Sequence, residues 1–507
     1  MEENEEKLED IKKADINDAS KIFKDEILLN EDRINNLIEF GKKNKLNQKK
    51  VLRPMAWKIF LGIIPEGNQS IEEWIDTIDM QRNEYKNKLE KYCSIKQFKS
   101  IDPLLDNENK EDDDLLNKKE EKSIINLIEL DLVRTHQNIE LFHKNKTKNI
   151  LSNILFIYSK ENEDIPYGQG MNELISMLFI CLYPYYFSNK EKQKLSKDEI
   201  KEYLKDIDSH YEDIYLFFHD EEEIQSDLFF LFESLMKKGI KDLYGKDDIK
   251  KDDKNYTLYE LFPDIIKDNS NEEKPIHLNL RSSMITKEKL KIIDKRLYNH
   301  FKHIKINCNY FLHRWFKCIF TREFEVDDVL CLWDKIFLYE YIKNKKYKYH
   351  LIYIDFICVA MIIRIRNQLK KKDEGDCFTL LFHYPKVEDI NNIIEISEKI
   401  SEIFENKLNG EEYNADEILE LIKDNNISEE DEDINSSEAN EELLISPHMY
   451  NQTNNKSFIS YDKKNENVVF CGKYYMKKRY LLVIFFLSVI FVILIWLYYN
   501  YHNINKK

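Results

Sequence analysis

Residues 311–337, FLHRWFKCIFTREFEVDDVLCLWDKIF, decide the fold class. Leu312, Trp315, Phe316 and Ile319 recur at i, i+3, i+4 and i+7, and Val329, Leu332, Trp333 and Ile336 repeat the pattern after a short charged break. That spacing lines one face of an α-helix with apolar side chains, whereas a half-buried strand would alternate. Outward from this stretch the set returns at Leu151, Ile154, Leu155 and Tyr158, and at Leu174, Met177, Leu178 and Cys181. It returns again at Leu228, Leu231, Phe232 and Leu235, and at Ile354, Ile357, Cys358 and Met361. Six sets within about 210 residues, with no Val-rich alternating run between them, predict one large all-α domain.

Composition agrees with this reading. The 507 residues are 42% hydrophobic and include 29 Phe and 30 Tyr, enough for a sizeable core; 10 Gly and 9 Pro are too few for a turn-dense all-β fold. Eight cysteines form no CxxC pair, which fits neither a disulfide framework nor a zinc ribbon and points to a reducing compartment. The formal net charge of −17 speaks against nucleic acid as a partner, because phosphate backbones attract basic surfaces. The acid is concentrated: residues 1–10 carry −5, 102–122 carry −5 and 411–442 carry −13, which leaves the rest slightly basic at about +6.

These shifts divide the chain. Residues 1–26 read as an acidic N-terminal arm and 27–405 as the helical domain, with charged surface insertions near 102–122 and 237–273. Residues 406–472 are too acidic and too poor in periodic apolar residues to offset chain entropy by burial, and are expected to form a disordered stalk. Leu481–Tyr498, LLVIFFLSVIFVILIWLY, has no charge and as a helix would span roughly 27 Å, the measure of a single C-terminal transmembrane helix. Tyr474, Tyr475 and Tyr480 come before it, Trp496 and further tyrosines lie at its end, and Lys473, Lys477, Lys478 and Arg479 precede it, so residues 473–507 read as a tail anchor with the bulk of the chain in the cytosol. The short span favours endoplasmic reticulum or early Golgi.

The chain has no GxxxxGK[ST] loop, GxGxxG, HExxH or GxSxG, so neither a nucleotide nor a metal of its own is expected. His300, His303 and Cys308 lack a second Cys pair and make a weak ligand set, and Asp112–Asp114 read as an acidic loop. Two segments stand out. In IELDLVRT, Ile128, Asp131 and Arg134 share one helical side; Asp131 is placed to orient Arg134, although the spacing equally suits an ordinary surface ion pair. In PYGQGMNEL, Gly168 and Gly170 flank Gln169 just before an amphipathic helix, which suits an exposed amide on a tightly turned backbone.

With three further segments these resemble the TBC-domain family, GTPase-activating proteins for Rab small GTPases. Leu52–Gly62, Asp227–Met236 and Arg314–Phe337 are similar to its Arg…Trp opening helix, its middle segment and its RW…reF…WD signature, and the resemblance runs from about residue 27 to 405. It implies that Arg134 is an arginine finger and Gln169 a glutamine finger, supported by Asp131, Tyr167 and Gly170. Trp57, Trp315 and Trp333 would be core, and Arg53, Arg314 and Asp334 members of buried ion pairs, with Arg53 also able to lie near the groove. The partner would be a Rab GTPase in its GTP form, which brings the Mg-GTP; the chain would be an activator acting in trans and not itself a GTPase. The rival reading is a TBC fold used without catalysis, as a Rab effector or membrane tether. Here His136–Gln137 follow Arg134–Thr135 where the family often has an aromatic and Pro, and Pro54 replaces a common Gly.

Overall fold

A computed structural model describes residues 18–65, 70–96, 112–183, 209–244, 278–343 and 351–424, together with strand residues 459–462, 467–470 and 474–477. The chain divides into two units, Met1–Ile427 and Ser428–Lys507. The first is helical. Its main helices are α1 (Arg33–Lys42), α2 (Arg53–Phe60), α3 (Ile71–Lys96), α4 (Asp112–Arg134), α5 (Asn145–Glu161), α6 (Met171–Leu182), α7 (Ser209–Phe218) and α8 (Ile224–Leu235). After them come α9 (Leu278–Met284), α10 (Lys295–His303), α11 (Asn309–Lys317), α12 (Val326–Lys343), α13 (Tyr353–Arg364), α14 (Glu374–Phe382), α15 (Asn391–Asn409) and α16 (Asp416–Asp424).

Local chemistry sets several of their ends. Ser70 Oγ accepts from the Glu73 amide while the Ser70 amide donates to Glu73 Oε2 at 2.8 Å, a reciprocal capping box that starts α3. Pro54 falls in the first turn of α2, where its missing N–H costs nothing. Gly410, at φ 75°, closes α15 in the left-handed conformation that glycine adopts most readily.

The apolar stripes read from the sequence pack together. Helix α12 lies on α2 and α6, and α8 lies on α3 and α6. Trp57, Trp315 and Trp333 are fully buried, and the Trp57 ring lies 5.7 Å from that of Trp333 and edge-on to Phe337 at 4.9 Å. Buried charge clusters knot distant helices. Arg53 donates from Nε and Nη2 to Asp334 at 2.9 Å each, and Trp57 Nε1 donates to the same carboxylate at 2.8 Å, joining α2 to α12. Burial opposes the charge on Arg53, but Asp334 more than offsets it and holds the guanidinium above its usual pKa. Asp227 in α8 likewise accepts from Lys58 at 2.7 Å and Arg82 at 2.9 Å.

Five sequence expectations shift. Residues 18–26, read as the end of an acidic arm, are helical and bury Ala19 and Phe23 in the core, with Phe23 edge-on to Tyr215 at 5.7 Å. Residues 112–122 are not a loop but the first turns of α4. Residues 237–244 belong to the body and not to an insertion, because Ile240 and Leu243 are buried in the core. The helical body also runs past 405: Gly410 turns the chain into α16, whose Ile418 is fully buried with Leu419, Leu421 and Ile422 packed beside the core. These apolar residues at helical spacing supply the burial that acidic composition obscured. The second unit contains a three-stranded antiparallel meander, β1 (Ile459–Asp462), β2 (Asn467–Phe470) and β3 (Tyr474–Lys477), with Ile459 opposite Phe470 and Asn467 opposite Lys477. Its β-branched and aromatic residues suit strands, so this part of the expected stalk and basic flank is not structureless. Residues 481–498 lie outside the described residues; among those described, no helix is long and apolar enough to cross a membrane.

Candidate functional site

Arg134 is the last residue of α4, and its side chain is exposed. A helix C-terminus favours a cation, so a guanidinium sits there without backbone cost. Asp131, one turn earlier, is 7% exposed and does not hold Arg134. Three residues along a helix leave two side chains about 60° apart around the axis, which here separates a buried face from a solvent face. The Asp131 carboxylate instead accepts from the Tyr167 hydroxyl at 2.8 Å.

Tyr167 opens the loop that presents Gln169. Its amide donates to Ser159 Oγ at 3.0 Å, and burial together with Asp131 pushes its phenol far above the ordinary range, so it remains a donor. Gly170 has φ 108° and ψ −23°, a conformation that carries a steric penalty for any residue with a Cβ. A Cβ on Gly168 would lie 2.5 Å from the Tyr244 ring, and one on Gly170 would lie 3.1 Å from its hydroxyl. Tyr244 is therefore a lid pressed on both glycines, fixed by a 2.7 Å hydrogen bond to the Lys317 carbonyl. Gln169, between them, is exposed. Among the described residues neither Arg134 nor Gln169 has a hydrogen-bond or ion-pair partner.

Asn172 joins the two segments. It is 3% exposed; its Nδ2 donates to Thr135 Oγ1 at 2.8 Å, and its Oδ1 accepts from the Gly170 amide at 3.1 Å and faces the Tyr167 hydroxyl at 3.4 Å. Thr135 in turn donates to the Asp131 carbonyl at 2.9 Å. A closed polar ring, Asp131–Tyr167–Asn172–Thr135, thus locks the residue after Arg134 to the residue after Gln169. Sequence reasoning passed over Asn172 and Thr135. Their only signal was a polar residue on the apolar face of the helix after the glycines and a hydroxyl beside Arg134.

The wall beyond is charged. Glu173 accepts from Arg322 Nη2 at 3.0 Å, and its other oxygen lies 3.9 Å from His136 Nε2. His136 adopts φ 41° and turns the chain sharply after Thr135, so the loop that departs from the family pattern is shaped by a left-handed residue. Burial lowers the His136 pKa, with Glu173 opposing. Arg53 does not reach this site, being committed to Asp334 in the core. Arg314 pairs with Glu323 at 2.6 Å and donates to the Phe382 carbonyl, a scaffold role.

Known proteins resemble this chain in sequence and in fold. The sequence profile of the Rab-GTPase-TBC domain matches residues 50–274 and 253–370. Human TBC1 domain family member 5 is 27% identical over 387 residues, covering 73% of this chain and 44% of that protein. The GTPase-activating protein GYP1 of Saccharomyces cerevisiae is 22% identical over 287 residues, 56% of this chain and 34% of that one. The chain thus spans less than half the length of these curated relatives. The solved Ypt/Rab-GAP domain of Gyp1p superposes with a TM-score of 0.51 at 21% identity, covering 76% of this chain and 97% of that one, a likeness of fold. With the ordered segments, the glycine-flanked Gln169 and the profile match across most of the helical body, the chain belongs to the Rab-GTPase-TBC domain family.

Proposed function

We propose that the chain is a membrane-anchored GTPase-activating protein for a Rab small GTPase, acting through Arg134 and Gln169. The observation that supports this is the buried ring of Asp131, Tyr167, Asn172 and Thr135, which ties the residue after Arg134 to the residue after Gln169, while the Arg134 and Gln169 side chains are exposed with no partner among the described residues. Hydrolysis of GTP builds charge on the γ-phosphate oxygens and the β–γ bridge. A guanidinium from Arg134, desolvated as the partner docks, neutralises that charge. The Gln169 amide offers a donor and an acceptor with which to orient the attacking water. The partner supplies Mg-GTP; this chain contributes side chains only.

Leu127, Leu130 and Val133 are 45%, 57% and 59% exposed at i, i+3 and i+6 on α4, leading to Arg134. An apolar stripe of this kind beside a reactive residue supports docking of a protein partner there. The uncharged Leu481–Tyr498 run with its basic flank supports a C-terminal anchor on an endoplasmic reticulum or early Golgi membrane. Sharing a bilayer with a lipidated GTPase would raise the effective concentration of both.

The test is GTP hydrolysis by a panel of Rab proteins with the full chain and its Arg134→Ala and Gln169→Ala variants. Stimulation that collapses in the variants supports catalysis; binding to GTP-loaded Rab without stimulation favours a non-catalytic effector or tether. A fluorescent N-terminal fusion with and without residues 473–507 tests the anchor and its membrane.

A further inference from the structure

A cavity of about 500 Å³ opens between α9 with its continuation, α10 and α11, among residues that the catalytic reading does not use. Lys287, Lys302 and Lys305 line it together with the hydroxyl and amide groups of Ser283, Thr286 and Asn307, over an apolar wall that includes Tyr298, Phe301 and Ile306. The three lysines are exposed, and none has a carboxylate partner among the described residues. Exposed lysines elsewhere divide between those with a carboxylate partner, such as Lys42 with Glu39, and those without one among the described residues, such as Lys144 and Lys295. Here three ammonium groups without a carboxylate partner among the described residues share one hollow.

The backbone adds a second observation. Helix α10 ends in a Schellman turn: the Ile306 amide donates to the Phe301 carbonyl at 3.0 Å and the Lys305 amide to the Lys302 carbonyl at 3.3 Å. Lys305 is the left-handed residue of that turn, at φ 59°, a position that glycine fills with least strain. A lysine there keeps its side chain at the cavity mouth at a backbone cost. Attraction of cations to a helix C-terminus accounts for Lys302 but not for Lys287 on the preceding segment.

We propose that this cavity binds a ligand bearing several phosphate groups, with Lys287, Lys302 and Lys305 pairing with the phosphates. Ser283, Thr286 and Asn307 would meet the hydroxyls of its carbon frame. The size suits a small molecule and not a single phosphate ion, and lysine acts as a point charge toward phosphate without demanding a planar fork.

The test titrates the full chain, held in non-ionic detergent, with inorganic phosphate, with inositol trisphosphate, and with water-soluble dibutanoyl phosphatidylinositol bisphosphate. Saturable binding of the trisphosphate or the short-chain lipid, well above that of phosphate, is expected. The combined Lys287→Ala, Lys302→Ala and Lys305→Ala variant should weaken it by about tenfold or more, as loss of charged hydrogen bonds does. Ser283→Trp, which fills the hollow without changing charge, should weaken it too. Lys42→Ala, Lys86→Ala and Lys237→Ala together remove the same charge elsewhere and should leave binding unchanged. Tighter binding of the lipid assigns a membrane headgroup as the source, and binding of the trisphosphate alone assigns a soluble one. Absence of binding by every multiply phosphorylated probe, or equal loss in the two triple variants, overturns the proposal.

Discussion

Replacing Asn172 with alanine would test the ring that joins the segments bearing Arg134 and Gln169. The change removes the 2.8 Å bond to Thr135 and leaves the Gly170 amide, in a buried residue, without its 3.1 Å acceptor. A lost hydrogen bond costs about 1 kcal/mol and a stranded buried donor about 1–3 kcal/mol, so roughly 2–4 kcal/mol of stability is at stake. With a urea slope near 3 kcal/mol/M the unfolding midpoint falls by about 1 M. The larger effect should be kinetic. The Gln169 loop would lose its tie to the residue after Arg134, and a displacement of about 1 Å between positioned groups costs on the order of 100-fold in rate. Rab-stimulated GTP hydrolysis at saturating chain should therefore fall by about 10- to 100-fold, with Arg134 and Gln169 both present. Thr135→Val removes the other end of the same bond. A double-mutant cycle between the two should return a coupling of about 0.5–3 kcal/mol. If Asn172→Ala lowers stability yet leaves stimulated hydrolysis at the wild-type rate, the ring is structural and does not position the fingers.

Arg134→Ala should lower stimulated hydrolysis by about 10³- to 10⁵-fold, the range of trans-acting arginines, with the unfolding midpoint unchanged because the side chain is exposed. Arg53→Met leaves the buried Asp334 carboxylate with Trp57 as its remaining donor and should cost about 3–5 kcal/mol in denaturant unfolding; adding Asp334→Leu should recover much of that. Gly168→Ala drives a Cβ into the Tyr244 ring and should destabilise by about 1–3 kcal/mol, less so when Tyr244→Ala is also present. Burial lowers the pKa of His219, stacked on Tyr215 at 4.3 Å, to about 4, against about 6.5 in the unfolded chain. Between those values only the unfolded chain takes the proton, so stability is full above about pH 6.5 and falls by up to about 3 kcal/mol as pH drops to 4. Urea midpoints at pH 7.5 and 4.5 should diverge in wild type and lie closer together in His219→Phe, with His136, whose pKa burial also lowers, contributing to the remainder.

The helices of the body were legible because burial imposes a period that local sequence records. Leu312, Trp315 and Phe316, or Val329, Leu332 and Trp333, announce a buried face without knowledge of what covers it. The scarcity of glycine made Gly168 and Gly170 conspicuous, and their backbone demands are local. Where composition misled, it averaged over a pattern. The acids around Ile418 hid a helix, and the lysines near 237–244 hid a segment whose Tyr244 seals the glutamine loop.

The sequence by itself determined the helical class, the buried faces of the main helices and the glycine-flanked turn before α6. Each of these depends on residues close together in the chain. Tertiary structure alone decided who pairs with whom. Asp131 shares a helical side with Arg134 in projection, yet it turns to Tyr167, 36 residues on, because its face of α4 is buried and the face of Arg134 is not. Arg53 went to Asp334, 281 residues away, and so left the groove. Buried polar groups must find partners wherever the fold brings them, and no spacing rule within one helix can say which partner that will be.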